Sequence, residues 1–249
     1  MIIIKSDDEI QIMREAGRVT ARILEGLKDY IKPGISTWDI DCFVEDTILK
    51  NGMTPSFKGY NGYPASVCVS INEEVIHGIP RKSRIIKNGD VVSVDVGSTW
   101  RGYVSDAART YGIGAISEEA RRLIRVTEDC FFEGLKYCRI DNRLSDISYA
   151  IQSTAEAAGF SVIRDFVGHG VGRDMHEAPQ IPNFGRPNKG PKLVAGMTLA
   201  VEPMLSAGGY EVMILSDDWT AVTADGSLSA HYENTIVITD GEPALLTQL

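Results

Sequence analysis

Residues 90–112 read DVVSVDVGSTWRGYVSDAARTYG. The first part alternates and is rich in valine, which predicts a strand from Asp90 to Gly97. A second strand is expected from about Gly102 to Tyr111. Ser98-Thr99-Trp100-Arg101-Gly102 between them has turn chemistry. With the turn centred between Trp100 and Arg101, Asp95 faces Asp106 across the hairpin, and their Cβ atoms lie about 4.5–5.5 Å apart. Like charges placed that way repel. On a solvated face the pair needs nothing more; on a buried face it needs a cation.

The composition narrows the setting. The 249 residues suffice for one large domain or two small ones, and 43% hydrophobic with 24% charged residues is ordinary for a globular chain. A formal charge of −9 argues against nucleic-acid binding through a basic face. Cys42, Cys68, Cys130 and Cys138 form no C-x-x-C pair, as in a reduced, cytoplasmic protein. Met1-Ile2-Ile3-Ile4 ends at Lys5, too short for a signal sequence, and no apolar run approaches a membrane span.

Ser6-Asp7-Asp8-Glu9 is a capping box, and a helical apolar pattern follows to about Tyr30. Ser36 or Thr37 caps a second helix that stops at Asn51-Gly52. Residues 53–64 read as loop, and Ala65 to Asn72 as a strand. Ser117 starts a third helix, to about Tyr137. A fourth runs from about Ser145 to Ala158 and stops at Gly159. Residues 161–167 are expected as a strand and 168–192, with five glycines and four prolines, as loop. Further strands are expected at 197–205, about 210–215, and 232–239.

The chain also repeats itself. Glu25-Gly26-Leu27-Lys28 recurs as Glu133-Gly134-Leu135-Lys136. After one lost residue, an offset of 107 maps Asp39-Ile40 onto Asp146-Ile147, Gly52 onto Gly159, and the run ending at Asp95 onto the run ending at Glu202. The expectation is a single catalytic domain over 1–249, built from two related halves at about 6–112 and 117–239. Each half then presents an acid at an equivalent strand position. Asp106 partners Asp95, and Glu233 is the matching partner of Glu202. Four buried carboxylates cannot all stay ionised without cations; two divalent metals balance them. Three of the four histidines sit in Gly- or Pro-rich loops: His77, His169 between two glycines, and His176. Any one alone reads as a turn residue. Three together read as ligands or catalytic groups. His231, beside a strand, reads as an ordinary strand residue. No nucleophile elbow, P-loop, dinucleotide fingerprint or H-E-x-x-H is present.

These residues resemble the type I methionine aminopeptidases, pita-bread metallopeptidases, in their short bacterial form. The match covers nearly the whole chain. It is carried by Ser70-Ile71-Asn72-Glu73 with His77-Gly78-Ile79-Pro80, by Asp95-Val96-Gly97, Ser105-Asp106 and Gly168-His169-Gly170-Val171-Gly172, and by His176-Glu177, Glu202-Pro203 and Ser229 to Thr235. The resemblance implies an α+β pita-bread (creatinase/aminopeptidase) fold: two pseudo-symmetric halves of two helices plus antiparallel strands around a central dinuclear site. Asp95, Asp106, His169, Glu202 and Glu233 would hold two divalent ions (Co, Mn, Fe or Zn), with Asp106 and Glu233 bridging.

The implied reaction removes the initiator methionine of nascent proteins when the second residue is small, by attack of a metal-bridging hydroxide. Glu202 would shuttle the proton, His176 would polarise the scissile carbonyl, and His77 would position substrate or assist the leaving amine. Tyr60, Tyr63, Cys68 and Trp219 would form the methionine pocket. Phe57, where bacterial relatives commonly have cysteine, and Met175, where an aromatic is common, would reshape its rim. Asn72 and Ser229 would lie at a Na or K site. A monomer is expected, meeting nascent chains at the ribosome near the exit tunnel. Two other readings share the residues: a prolidase or aminopeptidase P relative, and a non-catalytic binding protein on the same fold.

Overall fold

The computed structural model describes residues 1–249. Helix α1 (Asp7–Tyr30) opens on Ser6, whose side chain accepts from the Glu9 amide while the Glu9 carboxylate returns to the Ser6 amide. Ser36 and Asp39 do the same for α2 (Thr37–Lys50). Ser117 caps α3 (Glu118–Leu135), and Asp146 accepts from the Arg143 amide at the start of α4 (Leu144–Ala157). The offset of 107 carries the whole of α2 onto α4. It also carries Gly52 onto Gly159, both at positive φ. No helix is long and apolar enough to cross a membrane.

Each helix pair covers an antiparallel sheet. In the first half the 91–100 strand is central. The 103–112 strand pairs along one edge, and 67–71 and 54–55 share the other. In the second, the order is 244–245, 234–237, 198–201, 168–170, 177–181. Ile23, Leu27, Ile40, Ile48 and Val94 belong to one buried apolar cluster; Leu123, Phe131, Ile147, Ile151 and Leu199 belong to another. Burial of such side chains contributes about 1.5–3 kcal/mol each. A third cluster, with Met13, Phe57, Tyr63, Cys68, Val171 and Met175, lies where the halves meet. This is the pita-bread arrangement.

The hairpin register differs from the sequence expectation. Asp95 pairs with Ala108 and Asp106 with Gly97; Trp100 pairs with Tyr103. The turn residues are therefore Arg101 and Gly102, both at positive φ (48° and 78°). A two-residue hairpin of this hand needs left-handed backbone at both central positions, which glycine adopts cheaply and tryptophan does not. The turn slides one residue to use Gly102. Partners shift by two, so the two aspartates keep the same face but become diagonal neighbours.

Other expectations change. Only Ser161–Val162 of 161–167 is strand. Residues 168–192 contain two strands, Gly168–Gly170 and Glu177–Ile181. The glycines there admit neighbouring backbone: a Cβ on Gly170 would lie 2.3 Å from the Ala178 carbonyl oxygen. The expected long strands 197–205 and 232–239 are broken at Glu202-Pro203 and at Tyr232-Glu233, and Ala221–Thr223 is an additional strand. Those interruptions matter, because they hold two of the acids.

Candidate metal centre and active-site cavity

The 103–112 strand stitches the halves together and sets the acids. The Ala108 and Glu233 amides donate to each other's carbonyls at 3.3 and 3.0 Å. Since Ala108 is also the partner of Asp95, that row carries Asp95, Ala108 and Glu233 across three segments. Asp106 is fixed by the Thr235 hydroxyl, which accepts from its amide and donates to its carbonyl. Arg109 donates to the Glu233 carbonyl and to Asn234 Oδ1. Glu202 sits just past the 198–201 strand, its carbonyl held by Asn183 Nδ2 at 2.9 Å.

A cavity of about 210 Å³ opens on these groups. It is lined by Asp95, Asp106, His169, Glu202 and Glu233, by His77 and His176, and by Tyr60, Tyr63, Cys68 and Trp219. Phe57, Asn61, Ile76, Phe166, Val167 and Met175 complete its wall. Asn72 and Ser229 are brought together, the Ser229 amide donating to the Asn72 carbonyl at 2.8 Å, but they lie outside the cavity. A larger cleft of about 450 Å³ between α1, α3 and the C-terminus holds none of the five expected ligands. Size alone therefore does not mark the site; convergence of buried acids does.

The electrostatics fit a cation. Burial raises the carboxyl pKa of Asp95, Asp106, Glu202 and Glu233, and mutual repulsion adds to it for Asp95, Glu202 and Glu233. Burial lowers the imidazoles, His169 and His77 to about 4, so both are neutral near pH 7. The approaches of His169 Nε2 to Glu202 Oε1 (3.4 Å) and Asp106 Oδ2 (3.8 Å) are therefore not ion pairs. His169 Nδ1 lies 2.9 Å from the Gly170 carbonyl, which only accepts, so Nδ1 carries the proton and Nε2 aims a lone pair at carboxylate oxygens. Asp95 Oδ1, Asp106 Oδ1 and Glu233 Oε1 are buried without hydrogen-bond partners. Asp106, His169 and Glu233 each offer a ligand atom within 4.8 Å of the others. A lone pair facing acceptors, with orphaned oxygens around it, is what a divalent cation would satisfy.

His231, read as an ordinary strand residue, does end the Ser229–His231 strand, but it also comes close to the acids. It is 2% exposed, and its Nε2 lies 3.8 Å from Glu233 Oε2 and 4.0 Å from Glu202 Oε2.

Comparison with known proteins gives the family. The profile of Metallopeptidase family M24 matches residues 11–240. The methionine aminopeptidase of Clostridium acetobutylicum is 56% identical over 247 residues, 99% of either chain. The crystal structure of methionine aminopeptidase from Thermotoga maritima, 48% identical, aligns over all of both chains with a TM-score of 0.99. A prolidase from Pyrococcus furiosus, at 21% identity and a TM-score of 0.81, covers 99% of this chain with 66% of its own and shares the fold. With the family model matched over residues 11–240 and the relatives aligned along its length, the chain belongs to metallopeptidase family M24.

Proposed function

We propose that this chain is a metal-dependent aminopeptidase that removes the N-terminal methionine of polypeptides whose second residue is small. The observation that carries the reading is one cavity with five convergent metal-ligand candidates at one end and an apolar wall at the other. Asp95, Asp106, His169, Glu202 and Glu233 would hold two divalent ions, of Mn, Fe, Co or Zn, with Asp106 and Glu233 shared. Those ions supply Lewis acidity and a water acidic enough to act as nucleophile. The whole of 1–249 acts as one catalytic unit, its two related halves each giving acids to the centre. The Asn72–Ser229 contact is the proposed place of a Na or K ion, which carries no step.

The chain's own groups do the rest. The acidic end receives the substrate's α-ammonium, which restricts cleavage to the first residue. Glu202 accepts and returns a proton during cleavage. Tyr60 Oη lies 2.9 Å from His176 Nδ1; with the hydroxyl donating, the neutral ring carries its proton on Nε2 and donates it to the developing oxyanion. His77 is held at a φ of 60°, a strained backbone for a non-glycine residue, with Phe166 and Trp219 edge-on to its ring. From the cavity wall it would position the substrate amide or assist the leaving amine. Tyr63, Cys68 and Trp219 enclose the methionine thioether.

Phe57 and Met175 narrow that enclosure. The Phe57 ring lies where only Gly97 fits: a Cβ there would be 2.6 Å from Phe57 Cε1. Phe57→Cys is expected to deepen the pocket and raise kcat/KM for an N-terminal leucine or phenylalanine peptide relative to methionine about tenfold or more. An unchanged ratio would show that the ring does not set the depth.

The deciding experiment is turnover of a Met-Ala-Ser peptide and an X-Pro peptide by metal-stripped protein titrated with Mn, Fe, Co or Zn. Metal-dependent release of methionine from the first is expected. Cleavage of the X-Pro peptide alone would replace this reading with a prolidase.

A further inference from the structure

The acids that crowd the cavity have an unexplained neighbour. His231 is buried, and its Nε2 has no hydrogen-bond partner. Buried polar atoms are nearly always paired, so an orphan needs a reason. The backbone that carries the ring is tied down. The Thr110 hydroxyl accepts from the His231 amide at 2.9 Å and donates to its carbonyl at 2.8 Å, and Ser93 lies 2.8 Å behind that hydroxyl. With the backbone fixed there, Nε2 lies between Glu202 Oε2 and Glu233 Oε2, at 4.0 and 3.8 Å. Glu202 thus stands between two imidazoles: Oε1 faces His169 and Oε2 faces His231.

We propose that His231 is a positioning residue of the metal centre, its Nε2–H the donor that orients the outer oxygens of Glu202 and Glu233 so that both carboxylates point at metal. The inference rests on the metallopeptidase reading above and adds a residue outside the five ligands. As found, both separations exceed hydrogen-bond length. With the carboxylates ionised, a donor at that point gains two acceptors, and the orphaned nitrogen has its partner. Groups that hydrogen-bond ligating carboxylates typically change metal affinity or activity 10–100-fold when lost.

The test compares metal-stripped wild type with His231→Leu, which removes the donor, and with His231→Gln and His231→Asn, which keep an amide N–H at longer and shorter reach. Calorimetric titration with Mn²⁺ alone reads the affinity. The expected result is binding about 10–100-fold weaker in the Leu and Asn variants, with the Gln variant recovering most of the loss. With metal saturating, kcat should fall in the same order and KM for Met-Ala-Ser should move little. Should Leu fail to fold, judged by circular dichroism, the Gln and Asn pair carries the comparison. Leu or Asn binding Mn²⁺ within twofold of wild type would overturn the proposal. Wild type that binds Mn²⁺ but cleaves no methionine peptide would instead overturn the substrate reading, and the calorimetric comparison would still stand.

Discussion

Replacing Glu202 by alanine is expected to lower kcat for Met-Ala-Ser at least ~10³-fold, about 4 kcal/mol of transition-state stabilisation, while the fold survives. The two halves of that expectation have different causes. Glu202 is only 8% exposed, and burial with the Asp106 charge raises its carboxyl pKa. In the metal-free protein, keeping that carboxyl buried costs stability above its unfolded pKa. Its removal should leave the thermal midpoint unchanged or higher. The backbone around it does not depend on the carboxylate, because Asn183 holds the Glu202 carbonyl and Pro203 ends the strand. Activity loses both a proposed ligand and the proposed proton acceptor. Stability spent at a site that needs crowded acids is recovered when the acids go, a usual trade at functional sites. Steady-state kinetics with metal present, beside thermal unfolding of the metal-free protein, check both halves. A variant retaining kcat within tenfold would remove Glu202 from the chemistry.

Much of this site was legible because carboxylates on apolar strands are expensive. Asp95 and Asp106 stand out in a valine-rich hairpin, and the 107-residue offset leads from Asp95 to Glu202. The hairpin register was not legible at the level of one residue, because the alternation fixes the face but not the turn. Only the need for left-handed backbone at Gly102 decides it. Residues 168–170 hid as loop for a related reason. Their glycines mark close backbone approach, here to Ala178 and Ala200, and not flexibility. Continuous strands were expected through 202 and 233, yet both acids lie in breaks where the backbone leaves the ladder. The strand setting of His231 was legible, but its nearness to the acids was not, since nothing near Ala230 shows that Glu202 will come within reach of the same ring.

Metal-free protein is expected to lose stability as pH rises above about 6.5, and divalent metal to remove that loss. The four carboxyls have folded pKa values above their unfolded ones, Asp106 at about 7 and Asp95, Glu202 and Glu233 well above normal. The folded state then holds more protons than the unfolded state, so stability falls as pH rises through the folded values. The histidines act oppositely. His77 and His169 titrate at about 4 and His231 at about 3, and His176 is also lowered. The folded state holds fewer of their protons, a destabilisation present at acid pH that vanishes once pH passes the unfolded histidine value of about 6.5. Between about pH 4 and 6.5 the two sets offset one another. Above 6.5 both states carry neutral imidazoles, and only the falling carboxyl contribution remains. A divalent cation reverses the preference by favouring the ionised carboxylates, so its affinity rises with pH. At 100 times its dissociation constant it adds about 2.7 kcal/mol. Thermal midpoints from pH 6.5 to 8, with chelator and with Mn²⁺, measure the difference. A metal-free midpoint that stays level or climbs over that interval would mean that the carboxyls are not held protonated. Glu202→Gln, which removes one of the four titrations, should flatten the metal-free decline, tying the pH dependence to the same side chain whose loss is expected to lower turnover.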